Sequence, residues 1–349
     1  MILLGTGARP IPPTGYGGIE RTLAELAASL RRAGASVDIL NEVHAGRLAE
    51  YRFASRLNAK REELQGAILH ASTPVVASRL LRMRLPFVYT THSRHWFHVA
   101  GLTQRFGLRL EKRAVTNARY AVALTPVVRS RILDSFPPEK RPHRLETVGL
   151  GVDLERFSPR APSGDPTIAL GVGALLPLKR WDWAARALEG TGVRLRLVGP
   201  AADPRYAERL KGFSSVELVG EVGDDALREE YERAGMLVHP SAAELFPGVV
   251  AQAMACGRPV VGLPPVGSLV VDGETGFVVG GEPSSEEGSI HALRVAAGRL
   301  RDDEALRVAM GRAGRSRAVA EFDWNAVARA HIDLYERVAS ELDSAPGHP

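Results

Sequence analysis

An acidic residue, a turn and a helix start follow one another at Ala243-Glu244-Leu245-Phe246-Pro247-Gly248-Val249-Val250. Proline suits a first helical turn because its missing N–H is one that the helix leaves unsatisfied there. The amides of Gly248, Val249 and Val250 are then expected to be free at the positive end of the helix dipole. Such a place binds anions, most often phosphate. Any surface helix can begin after a proline, so this spacing alone assigns no ligand. Three other segments carry residues of similar use. Gly15-Tyr16-Gly17-Gly18 precedes a helix, and glycines let backbone approach a ligand closely. The last glycine of a dinucleotide fingerprint is missing there. His92 ends the apolar run at 86–91, with His95 beside it; a lone loop histidine is more often a capped, structural one. Lys179 closes Gly173-Ala174-Leu175-Leu176-Pro177-Leu178-Lys179, where its ammonium can act as a point charge on a phosphate.

Residues spread this widely converge only if a scaffold brings element ends together. Short β-branched runs alternate with helical periods along the whole chain, which predicts a parallel α/β fold. Strands are expected at 2–4, 36–40, 67–70, 86–91, 120–124 and 145–148, and again at 167–172, 195–198, 216–219, 236–239 and 259–262. Between the first two, Ile19, Leu23, Leu26, Ala27 and Leu30 mark one face of a helix over 19–33, with Gly34 as its end. At 349 residues the chain exceeds the size at which one core usually splits. The proline- and glycine-rich stretch 158–166 is the best linker, giving domains at 1–157 and 158–324. Ligands of open parallel sheets sit outside the carboxyl ends of the strands. The loops at 15–18, 91–95, 173–179 and 244–248 all follow strands, so they are expected to line a cleft between two doubly wound domains.

Composition narrows the classes. With 45% hydrophobic and 24% charged residues, the chain reads as an ordinary globular protein. The single Cys256 excludes a disulfide framework and fits a reducing compartment. Residues 1–5 are too few for a signal segment, and no apolar run reaches the length of a membrane span. The ten histidines are scattered without zinc spacing, so no metal is expected. The net charge of +5 concentrates at 79–84 and 105–113. That is either a solvated arginine-rich surface or an attraction to an anionic substrate or to lipid headgroups. Nucleic acid is not indicated, because no aromatic interleaving accompanies the charge.

The run from Glu244 to Val260 resembles the E-G-F-P-N-V-L-L-E-A-M-A-C-G-x-P-V signature of retaining glycosyltransferases of family 4, with Gln252 in place of the second acid. Pro12-Pro13-Thr14-Gly15-Tyr16-Gly17-Gly18-Ile19-Glu20 is similar to that family's P-P-x-x-Y-G-G-x-E loop, and Gly171-Val172-Gly173-Ala174-Leu175-Leu176-Pro177-Leu178-Lys179-Arg180 to its G-R-L-x-x-x-K-G segment, with Ala174 where arginine often stands. Val271-Asp272-Gly273-Glu274-Thr275-Gly276 matches a D-G-x-T-G turn, hairpin-like between short strands. Phe322-Asp323-Trp324-Asn325 resembles the start of the family's last helix, which returns to the first domain; residues from about 325 to 349 are therefore expected to join it.

The resemblance implies a GT-B architecture, two Rossmann-like domains facing across a cleft. It implies transfer of a sugar, of hexosyl type, from a UDP- or GDP-sugar to an acceptor hydroxyl with retention of configuration, without a metal and without a cofactor beyond the donor. The acceptor would be a saccharide, a lipid-linked glycan or a small metabolite. By the same resemblance Glu244 approaches the donor sugar, Lys179 holds the diphosphate and His92 bonds a sugar hydroxyl. Gln252 would hold the ribose with less charge than an acid. Gly17 and Gly18 lie near the diphosphate. Gly173, Val222, Phe246, Pro247, Gly248 and Val249 complete the donor side, with Phe246 expected to pack more than to touch. The protein would be cytoplasmic, at the inner face of the membrane if the basic clusters bind headgroups. Three rivals stay open: a nucleotide-binding module without turnover, which Ala174 and Gln252 would suit, a sugar-nucleotide epimerase of the same fold, and a nicotinamide dehydrogenase.

Overall fold

The computed structural model describes residues 1–13, 17–93, 96, 101–160, 163–280 and 285–344. Contacts divide the chain into two compact units, Met1–Leu150 with Trp324–Pro349, and Gly151–Asp323.

The first unit is built on six parallel strands: β1 (Ile2–Leu4), β2 (Asp38–Leu40), β3 (Leu69–Ala71), β4 (Phe87–Thr90), β5 (Tyr120–Ala123) and β6 (Leu145–Thr147), in the order β2-β1-β3-β4-β5-β6. β1, β3 and β4 are buried along their whole length, as apolar strands covered by helices on both faces should be. The helix Gly18–Arg32 buries Leu23, Leu26, Ala27 and Leu30. It ends because Gly34 turns left-handed at φ +88°, which lets the Ala35 amide donate back to the Leu30 carbonyl at 3.0 Å. The helix Trp324–Asp343 packs Trp324, Val327, Leu334, Tyr335 and Val338 into the same core as Leu3, Leu26 and Val88. The end of the chain thus completes the fold of its beginning.

The second unit has β7 (Asp165–Val172), β8 (Arg194–Val198), β9 (Val216–Gly220), β10 (Ala234–His239), β11 (Val260–Gly262) and β12 (Gly276–Val278), all parallel, in the order β12-β11-β10-β7-β8-β9. One core, around Trp181, Leu195 and Met236, covers one side; another, around Leu170, Leu237 and Met254, covers the other.

Two expectations change. The units divide at residue 150 rather than at 157. Val152 and Phe157 are buried in the second core, the Val152 amide donates to Phe322 O at 2.8 Å, and Arg315 donates to the Phe157 carbonyl at 3.0 Å. Apolar burial sets the boundary there, whereas the proline-rich stretch only leads into β7; its residues 161 and 162 lie outside the described ones. The turn at 271–276 is not hairpin-like, since β12 runs parallel to β11. It is closed by its own side chains: Thr275 Oγ1 accepts from Val271 N at 2.8 Å and Asp272 Oδ1 from Val278 N at 2.9 Å.

Candidate functional site

In the second unit β7 lies between β10 and β8. The chain therefore leaves the sheet to opposite sides after β7 and β10, the switch point where open parallel sheets bind ligands. After β7 the chain passes Gly173, at φ +148°, and makes the single turn Pro177–Lys179. The Ala242 amide of the loop after β10 donates to Leu178 O at 3.0 Å and ties the two loops together. Lys179 and Glu244 meet as a result: Lys179 Nζ donates to Glu244 Oε1 at 2.6 Å. His239, the last residue of β10, reaches the same oxygen with Nε2 at 2.8 Å. Sequence reasoning passed over His239, which stands five residues before Glu244 and matches no metal spacing. The signal was a histidine closing a strand just ahead of a candidate acid.

The electrostatics follow from burial and pairing. Burial by itself would raise the Glu244 pKa; the Lys179 charge and the His239 hydrogen bond outweigh it and hold the carboxyl well below the usual range. Burial lowers His239, helped by the Lys179 charge and opposed by Glu244, so the imidazole is neutral at neutral pH. The pair itself is largely shielded, with side-chain exposures of 17% for Lys179 and 13% for Glu244. Arg180, next to Lys179, has its guanidinium over the Trp183 ring at 4.0 Å from the centroid.

The helix Gly248–Ala255 does begin after Glu244, but its amides are not all free. Pro247 is the N-cap rather than the first helical residue, and with its φ of −76° and ψ of 81° the chain turns tightly. The Gly248 amide donates to Phe246 O at 2.9 Å and the Val250 amide to Pro247 O at 2.8 Å. Of the three amides expected free, Val249 is the one left. A Cβ on Gly248 would have nothing within 4 Å, so that turn borders open space. The Gln252 Oε1 and the Val249 carbonyl each lie 3.0 Å from the Tyr231 hydroxyl, whose one hydrogen serves one acceptor at a time. Phe246 packs edge-on against Phe322, centroids 5.9 Å apart, as a core ring does. Val222 follows β9, partly buried against the same core.

The first unit holds the other predicted residues. Gly17 caps the helix Gly18–Arg32, and a Cβ there would lie 3.0 Å from Pro13 Cβ, while Gly18 is exposed with open space around it. Residues 14–16 of that loop, and His95, lie outside the described residues. His92 follows β4; burial, with His331 nearby, lowers its pKa to about 4, so it is neutral at pH 7. The chain around it is fastened from below. Glu111 Oε2 accepts from the Tyr89 hydroxyl at 2.7 Å and from Thr91 Oγ1 at 3.0 Å, and Trp96 Nε1 donates to Thr91 Oγ1 at 2.8 Å. Burial pushes Glu111 up to about 7, against the pull of those hydrogen bonds. His70 bridges Thr90 Oγ1 at 2.7 Å and the Tyr335 hydroxyl at 2.5 Å, and stacks on His331 with centroids 5.8 Å apart.

Comparison with known proteins places these features. A family model described as Glycosyltransferase Family 4 matches residues 16–156, and one described as Glycosyl transferases group 1 matches residues 166–296. The chain is 27% identical to an alpha-maltose-1-phosphate synthase of Mycobacterium tuberculosis, over 95% of this chain and 98% of that protein. It is 29% identical to a D-inositol 3-phosphate glycosyltransferase of Streptomyces avermitilis, over 96% and 86%. Among solved structures, sucrose-phosphate synthase from Thermosynechococcus elongatus superimposes with a TM-score of 0.83 at 21% identity, covering 97% of this chain and 99% of that one. HepE of Anabaena, in complex with UDP and glucose, gives 0.76 at 18%, covering 96% and 99%. These likenesses show the fold, two doubly wound α/β units of the GT-B kind, as the sequence implied.

Proposed function

This chain belongs to the group 1 glycosyltransferases of family 4, and from that footing we propose that it moves a hexosyl group from a UDP- or GDP-sugar to an acceptor hydroxyl with retention of configuration. The observation that carries the proposal is the Lys179–Glu244–His239 cluster at the switch point of the second sheet, beside a helix start with an unused amide. As the glycosidic bond breaks, negative charge builds on the departing diphosphate. Lys179 and the Val249 amide are the groups in this unit suited to meet it. A preorganised donor of this kind is worth about 3 kcal/mol of barrier. Glu244 bonds a hydroxyl of the donor sugar, and the neutral His92 serves the transferred sugar or the acceptor. Gln252 holds the ribose through its amide. Lys179 takes the neutralising part that a metal plays elsewhere. The donor is a substrate, and no further cofactor enters the scheme.

The acceptor is a saccharide, a lipid-linked glycan or a small metabolite. The inner face of the membrane is the proposed place of work, on the strength of the helix Gly101–Asn117. Its Leu102 and Phe106 are 84% and 54% exposed, and exposed Arg105, Arg109 and Arg113 stand among them. Among the described residues, no helix is long and apolar enough to cross a membrane. Co-sedimentation with anionic vesicles, lost in a Leu102→Glu/Phe106→Glu variant, checks this contact.

The deciding experiment is a thermal-shift titration with UDP-, GDP- and ADP-sugars, followed by product analysis. Wild type is expected to bind one of them and Lys179→Ala to bind it at least tenfold more weakly. If wild type binds none, the proposal fails; binding without transfer to any acceptor would make the chain a nucleotide-binding module.

A further inference from the structure

Glu244 is held from two sides, and its two partners differ in kind. Lys179 ends a single turn at the edge of the site, on a flexible four-carbon stem. His239 closes a strand that is buried along its whole length, and its ring is itself fully buried, edge-on to Trp181 with centroids 6.2 Å apart. Trp181 is fully buried in turn and donates its indole N–H to Ala174 O at 3.2 Å. An ionised carboxylate only accepts, so the 2.8 Å contact fixes the proton on His239 Nε2. The neutral ring then keeps a bare lone pair at Nδ1, which is buried and without a hydrogen-bond partner. A proton moved to Nδ1 would find no acceptor and would leave Glu244 without its donor. The ring is therefore locked in one tautomer that points one N–H at Glu244.

We propose that His239 is a positioning residue of the donor site: its Nε2–H holds Glu244 Oε1 when Lys179 turns from Glu244 to the incoming diphosphate, leaving Oε2 to a hydroxyl of the donor sugar. This rests on the donor-site reading given above. Lys179 satisfies Glu244 at 2.6 Å. A diphosphate competes for the same ammonium. Glu244, buried and ionised, then keeps its place only through a partner that the diphosphate does not attract. His239 is that partner, and its strand position leaves it nowhere else to go.

The test uses His239→Phe, which keeps a ring against Trp181 and removes the N–H, and His239→Gln, which restores an amide N–H near the place of Nε2. UDP and GDP affinities are measured by calorimetry, and kcat and KM with whichever nucleotide sugar the wild type turns over. His239→Phe is expected to bind the nucleoside diphosphate within threefold of wild type and to lose at least tenfold in kcat, with most of the loss recovered in His239→Gln. In wild type, the imidazole nitrogen resonances should report a protonated Nε2 both before and after UDP or GDP is added. A kcat within twofold of wild type in His239→Phe overturns the assignment. So does an equal loss of nucleotide affinity and kcat that glutamine does not recover, which marks a merely structural residue. Should His239→Phe not fold, the nitrogen resonances and His239→Gln decide: a proton on Nδ1, or one lost from Nε2 on UDP binding, overturns it. A wild type that binds no nucleoside diphosphate sinks the donor-site reading itself; a wild type that binds and transfers while His239→Phe matches it sinks only this inference.

Discussion

A carboxylate that is mostly buried stays ionised only while its partners stay with it. Glu244 has Lys179 and His239 on one oxygen, and His239 is neutral, so Lys179 supplies the whole compensating charge. Removing one partner of such a pair leaves an uncompensated charge and costs about 3–5 kcal/mol. Lys179→Ala should accordingly destabilise the second unit by about 3 kcal/mol in urea unfolding. Adding Glu244→Gln to it should return more than half of that loss, because no buried charge then remains. Equal stabilities of the single and double variants would mean that solvent, not Lys179, neutralises Glu244. The lysine and the glutamate were both legible in the sequence by their place in motifs. Their direct contact was not, because it depends on β7 and β10 being neighbours although more than sixty residues separate the two side chains.

At the scale of elements, loops reach the site by close passage of backbone. Gly199, just after β8, has φ +146°, and a Cβ there would lie 2.2 Å from Gly173 O. Gly199→Ala should cost about 3 kcal/mol and displace the loop that carries Lys179, so stability and nucleotide affinity should fall together. Gly248 is the contrasting case. It is the first residue of its helix and has open space beside it, so Gly248→Ala should change stability by less than about 1 kcal/mol. Any loss of UDP or GDP affinity in Gly248→Ala then reports how closely the nucleotide approaches that turn; unchanged affinity would remove the helix start from the donor site. The proline and the motif located the start of this helix to within a residue. The capture of the Gly248 and Val250 amides escaped, since it follows from the dihedral angles of Pro247 and not from its being a proline.

For the whole chain, the last helix is a structural member of the first unit. Deleting Trp324–Asp343 removes Trp324, Val327, Leu334, Tyr335 and Val338 from its core. At about 2 kcal/mol each, their loss is comparable to the whole stability of a domain. In a chain stopped after Asp323, hydrogen exchange should show β1, β3 and β4 unprotected while β7 and β10 stay protected; full protection of the first sheet would refute this. Stability also carries a pH signature. Folded Glu111 titrates near 7 against an ordinary 4.5, so the folded state binds this proton more tightly than the unfolded one. Its contribution is complete below about pH 4.5 and is lost as pH rises through 7, about 3 kcal/mol in all. Glu111→Gln should lack that decline, so its stability relative to wild type should rise between pH 4.5 and 7; parallel curves would show that Glu111 is not the group.

The sequence by itself determined the alternation of strands and helices, the two-unit α/β class and the family, and it singled out Glu244, Lys179, Gln252 and His92 as candidates, because hydrophobic period and motif spacing are local properties of a chain. Only the tertiary structure decided that the chain passes from the first unit to the second after residue 150, that the turn at 271–276 leads into a strand parallel to β11, that His239 stands behind Glu244 in the second unit, and that Glu111 holds Tyr89 and Thr91 in the first. Each of those depends on which distant residue fills the space beside a buried group. A buried side chain takes its partner from strand order, and strand order is fixed when the cores close.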